Sequence, residues 1–158
     1  MSEATPVQAA EQPITITRVF DAPRELVFKA WTEPDQVAQW FGPAGFETPR
    51  EGVEIDLRVG GRYNLRMVQR GTGMEYWLRY EIVDLVEPEL LVLKSAPMPE
   101  VGLHHHTVAR IELQEHGGKT RMTLTDGPYT VEGGQGAGAG WGNAFDKLEA
   151  LLTQSSFR

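Results

Sequence analysis

The chain of 158 residues has no cysteine, which excludes a disulfide scaffold, a thiolate nucleophile and cysteine-ligated zinc. That fits a reducing compartment, and the expected location is the cytoplasm. No apolar run approaches the ~20 residues of a membrane-spanning helix. The first dozen residues lack both the basic start and the apolar stretch of a secretory signal. Positive charge is scarce too: 15 Lys and Arg against 22 Asp and Glu leave a formal charge of -7. Such a surface repels phosphate backbones and anionic headgroups. With no basic stripe to offset it, nucleic acid and membrane are set aside as partners. The HExxH and GxSxG patterns of helical zinc sites and nucleophile elbows are also missing.

What is present is an ordinary globular composition, 41% hydrophobic and 23% charged. We expect a disordered tail over residues 1–12 and one domain over residues 13–158. Ile14, Ile16, Arg18 and Phe20 alternate with Thr15, Thr17 and Val19, a strand of period two. Asp21-Ala22-Pro23 stops it and starts a short helix with Val27, Phe28, Ala30 and Trp31 on its apolar face. Thr32-Glu33-Pro34 repeats the signal for a second, carrying Val37, Trp40 and Phe41 and ended by Gly42-Pro43.

From Glu51 onward the pattern is strand, turn, strand. Val53, Ile55, Leu57 and Val59 alternate up to Gly60-Gly61, and Tyr63, Leu65 and Met67 form the hairpin partner. Tyr76–Val86, Leu90–Lys94, Thr107–Gln114 and Lys119–Thr125 complete the strands. The Gly133–Gly142 stretch is expected to be a flexible connector, a mobile loop over a cavity mouth. Its loose match to a dinucleotide fingerprint at Gly134–Ala139 lacks the βαβ unit that such a site needs. Trp141, Ala144, Phe145, Leu148, Leu151 and Leu152 then recur at helical spacing, with the helix expected to run to Phe157. The layout is α+β: a curved antiparallel sheet of six to seven strands, two short helices inserted after the first strand, and a long C-terminal helix that the sheet wraps.

Several stretches together resemble a known family. They are Arg18-Val19-Phe20-Asp21-Ala22-Pro23, Val27 to Thr32, Pro34-Asp35, Trp40-Phe41-Gly42-Pro43, Asp56 to Tyr63, Glu81-Ile82 with Pro88, Gly117 to Thr125, and Gly140-Trp141. The chain is similar to single-domain proteins related to the C-terminal domain of the activator of heat-shock protein 90 ATPase, within the START-like (SRPBCC) superfamily. The resemblance implies the helix-grip fold, a sheet that grips a C-terminal helix around a hydrophobic cavity. It carries over no universal catalytic residue, so function must be argued from the site, and no cofactor is assigned.

The candidate cavity residues are Trp31, Trp40, Phe41, Tyr63, Met67, Trp77, Tyr80, His105, Trp141 and Phe145. Aromatic walls supply apolar area, and Tyr or Trp adds one polar handle. Any single one of these rings more often fills a core. Trp77 and Tyr80 are opposite in strand phase, so without a bulge they cannot both face inward. His104 and His106 share one face of an extended segment, where Glu100 or His116 could join them on a metal. The plainer reading, a polar lead-in to a strand, is preferred, and no metal is assigned. Glu81, Asp126, Tyr63, Tyr80 and His105 are the groups available for acid–base work, but no motif pairs them. The reading that follows is binding of a small, mainly hydrophobic molecule. An interaction module that meets a chaperone or a second copy ranks second, and a cyclase- or hydratase-type enzyme using Tyr63 or His105 ranks third.

Overall fold

The computed structural model describes residues 11–99 and 104–154. The expected tail therefore lies outside the described residues up to position 10, and Gln12 already belongs to the first strand. The described residues form eight strands, β1 (Gln12–Phe20), β2 (Phe46–Glu47), β3 (Val53–Ile55), β4 (Arg62–Gln69), β5 (Glu75–Val86), β6 (Leu90–Ser95), β7 (Val108–His116) and β8 (Lys119–Tyr129). The helices are α1 (Arg24–Thr32), α2 (Pro34–Trp40) and α3 (Val131–Leu152). One antiparallel sheet runs β1-β8-β7-β6-β5-β4-β2, with β3 also paired to β4.

Local chemistry explains most boundaries. Glu33, in extended conformation, ends α1 and caps α2, whose first position is Pro34, where a missing N–H costs nothing. The β7–β8 hairpin pairs His116 with Lys119 across Gly117-Gly118. Ala109, Ile111, Leu113, Met122 and Leu124 all point inward, at most 3% exposed. Each fully buried Leu, Ile or Met side chain contributes about 1.5–3 kcal/mol of apolar transfer.

One strand is shorter than its pattern implies. β3 stops at Ile55, and Leu57 and Val59 are 42% and 59% exposed. The chain turns at Asp56, whose N–H donates to the Arg62 carbonyl, and the Gly61 N–H donates to Arg58. A Cβ on Gly61 would lie 1.9 Å from the Asp56 carbonyl oxygen, so this tight reversal requires glycine there. The alternation in the sequence continued past the point where the backbone had to turn back.

Helix α3 lies in the concave side of the sheet, so this is the helix-grip arrangement. Arg18 of β1 ties the two together: its Nη2 donates to Asp146 at 2.6 Å and to the Gly142 carbonyl at 3.3 Å. The largest correction concerns the glycine tract. It is not a loop: Val131–Gly142 forms the first three turns of α3, continuous with the apolar part. Thr130 caps it, its hydroxyl accepting from the Gly133 N–H at 3.0 Å. The helix ends at Leu152, and positions 155–158 lie outside the described residues.

Candidate functional site

The space between α3 and the sheet is filled at one end and open at the other. At the filled end, Trp31, Trp40 and Phe145 are at most 1% exposed. Their rings interlock: Trp31 meets Trp40 edge-on at 4.8 Å, and Phe145 lies 6.1 Å from Trp31 and 6.5 Å from Phe20. Both indoles have partners, Trp40 Nε1 donating to the Ala30 carbonyl at 2.9 Å and Trp31 Nε1 meeting Met122 Sδ at 3.3 Å. Tyr63 is also buried, and its hydroxyl donates to the Trp31 carbonyl. These four residues are core, with their polar atoms already committed.

At the other end a groove of about 210 Å³ remains. One wall is the glycine-bearing face of α3, with Gly136, Ala137, Gly140, Trp141 and Ala144. Met67 of β4 and Leu78 and Tyr80 of β5 face it, and Phe41-Gly42-Pro43 after α2 closes one side. Asp126 and Tyr129 of β8 complete it. The volume is below the usual range of ligand pockets, about 300–1,000 Å³, so the space suits a small occupant. Larger depressions of about 350 and 360 Å³ lie elsewhere. One is walled by charged side chains including Arg24, Arg110 and Glu115, the other by Gln12, Pro13, Thr130 and Gln135. Neither gathers aromatic walls around a buried polar group, as the groove under α3 does.

The polar centre of that groove is Asp126, 3% exposed. Tyr129 Oη donates to its Oδ2 at 2.6 Å and Trp141 Nε1 to the same oxygen at 2.8 Å. Burial raises the pKa of this carboxyl above 3.8, opposed by these two bonds and by the Gly127 backbone amide. Burial likewise raises the hydroxyl pKa of Tyr129 and Tyr80, with the negative Asp126 adding to both. Gly127 lies at the register shift of β8 against β1, between the pairs Ile14↔Asp126 and Gln12↔Tyr129. Its φ is +144°, and a Cβ would lie 2.7 Å from Pro13 Cα of the paired strand.

Of the ten candidate cavity residues, the structure brings Phe41, Met67, Tyr80 and Trp141 to the groove. Trp77 points away. Pairing of β4 with β5 is regular from Arg62↔Glu81 to Val68↔Glu75, so no bulge brings Trp77 into the phase of Tyr80. It is 38% exposed, with the Arg79 guanidinium 5.3 Å from its ring centroid. His105 is not at the groove: its Nε2–H donates to the Pro128 carbonyl at 3.1 Å, and His106 Nδ1–H donates to Ser95 at 2.7 Å. Glu100 lies outside the described residues. Among the described residues no three His, Asp or Glu side chains are grouped to hold a metal, and no helix is long and apolar enough to cross a membrane.

Sequence reasoning missed Tyr129 and the small residues Gly136, Ala137 and Gly140 as groove walls. The signal existed. Stepping back from Ala144 by three or four residues gives Gly140, then Ala137 and Gly136, the same stripe that carries Phe145 and Leu148. Low helix propensity in the tract concealed it.

The family model described as Activator of Hsp90 ATPase homolog 1-like protein matches residues 21–153. Among solved structures, a protein from Chromobacterium violaceum superposes with a TM-score of 0.82 at 24% identity, covering 91% of this chain and 99% of its own. A protein from Nitrosomonas europaea gives 0.79 at 25% identity, over 94% and 99%. The AHSA1 protein of Silicibacter pomeroyi gives 0.73 at 20% identity, over 87% and 95%. No curated protein matches the chain.

Proposed function

We propose, for a chain that belongs to the Activator of Hsp90 ATPase homolog 1-like protein family, that the groove under the first half of α3 binds a small, mainly apolar molecule. One observation carries this reading. The helix is gripped tightly enough at Phe145 to fill the core, yet about 210 Å³ beside Trp141 stays open around a buried carboxylate. Burial of ligand carbon would drive binding at roughly 25 cal/mol per Å², and the Asp126 cluster would orient the polar end.

The test is to fill the groove from the helix side. A Cβ on Gly136 meets nothing within 4 Å, and one on Gly140 meets only Pro43 at 3.7 Å. Gly136→Leu should therefore fold, gain helix propensity and occupy the space. A panel of small aromatic and aliphatic molecules should raise the Tm of the native protein by mass action and leave that of Gly136→Leu unmoved. If no molecule shifts the native protein, or the filled variant responds equally, the reading is wrong.

A second reading is an interaction module that meets a chaperone, as the family description suggests. Exposed Trp77, Leu57, Val59 and Met74 favour it. They lie among ion pairs such as Arg66–Glu75 and Arg62–Glu54, which break up any broad apolar patch. Co-purification that survives moderate salt and is lost with Trp77→Ser would support it over the groove. The enzyme reading has no support from its two named proton carriers, because Tyr63 is committed in the core and His105 bonds to backbone elsewhere.

A further inference from the structure

We infer that the groove selects a small apolar molecule bearing a protonated amine, with Asp126 as its counter-charge. This rests on the ligand-site reading above and adds the chemistry of the polar end. Among the described residues that line the groove, Asp126 is the one carboxylate and none is Lys, Arg or His. It is held inside the protein by two neutral donors, the Tyr129 hydroxyl and the Trp141 indole, both on Oδ2. An ionised carboxylate has about four acceptor positions. Both donors meet Oδ2, which leaves Oδ1 as the oxygen open to a ligand's donor, at a residue that itself forms part of the wall. Neutral donors spread the negative charge but do not cancel it, whereas an ammonium group would.

The rest of the wall suits the same occupant. Phe41, Tyr80, Tyr129 and Trp141 bring four aromatic rings to the groove, and aromatic rings attract a cation within about 6 Å. A ligand carboxylate would meet Asp126 in a desolvated space with no cation between them, a repulsion that low dielectric magnifies. A neutral hydroxyl could make the same hydrogen bond without the charge term. The expected order is therefore amine, then alcohol, then acid.

Three matched probes test this near neutral pH: benzylamine, benzyl alcohol and benzoate. The readout is the indole N–H resonance of Trp141, which sits on Asp126. Benzylamine should bind at least about tenfold more tightly than benzyl alcohol, with benzoate weakest. Asp126→Asn should bring amine and alcohol within about twofold of each other. The native-protein ranking decides even if that variant fails to fold. An alcohol or acid that binds as well as the amine overturns the amine assignment while leaving the groove a ligand site. Retained amine preference in Asp126→Asn overturns it as well. If none of the three probes moves the Trp141 resonance, the amine assignment falls, and the melting-temperature panel decides the ligand site separately.

Discussion

The two halves of α3 differ in almost every respect, though they are one continuous helix. From Trp141 to Leu152 it buries Trp141, Ala144, Phe145, Leu148, Leu151 and Leu152 against the sheet and the short helices. From Val131 to Gly140 it contains five glycines and buries only Gly134. At ~1 kcal/mol per glycine relative to alanine, the first half costs about 5 kcal/mol of helix propensity. It stays helical because the second half anchors it, the Thr130 cap starts it, and Gly134 packs on Ile14 of β1. The comparison teaches that the helix has separated two tasks. Large side chains hold it in place at one end, and missing side chains leave space at the other.

The sharpest way to break that division is at the anchor. Phe145→Ala should destabilise the protein by ~3–5 kcal/mol, because its ring touches Phe20, Trp31, Trp40 and Trp141 and the packed end cannot close over the gap. Urea unfolding measures this. A loss below about 1 kcal/mol would mean the halves are not divided as described.

At the junction, Asp126 holds the Trp141 indole, and the effect is intermediate and pH-dependent. Its folded pKa is raised above the ordinary 3.8, so the folded protein binds this proton more tightly than the unfolded chain. The resulting stability is complete below 3.8 and is lost as pH rises through the folded value. Urea midpoints of the native protein and Asp126→Asn, compared from neutral pH downward, should diverge in favour of the native protein on acidification. A constant difference would show that Tyr129, Trp141 and Gly127 offset burial completely.

The smallest change is expected in the first half. Gly138→Ala places a Cβ in open space away from the groove and should stabilise by ~0.5–1 kcal/mol. Gly134→Ala should gain less, since its Cβ would come within 3.1 Å of Ile14 Cγ2. Equal gains at both positions would deny Gly134 its packing role. Loss at Gly138 would argue that the tract needs glycine for something other than space.

Much of the fold was legible because it follows from local periodicity. The alternation in β7 and β8, the Glu33-Pro34 break between α1 and α2, and the stripe from Trp141 to Leu152 each obey a two- or 3.6-residue rule. The glycine tract misled because propensity is a local average, while the tract's conformation is imposed by Phe145 and its neighbours one to three turns away. Trp77 and Tyr80 were readable as opposed but not as out and in, since phase gains a direction only when the sheet curves. Among the rings, nothing local tells Trp31, a core residue, from Trp141, a groove wall with its N–H on a carboxylate.

The amino-acid order by itself determined the class of the protein, seven of the eight described strands, the helices apart from the glycine-bearing start of α3, and most of the apolar faces, because those depend on residues at most a few positions apart. Only the tertiary structure decided which apolar faces meet and which stop short. It placed Asp126, Tyr129 and Trp141 on one oxygen and left room beside them. Those distances are set by how a curved sheet closes on a helix, and a linear pattern carries no measure of that closure.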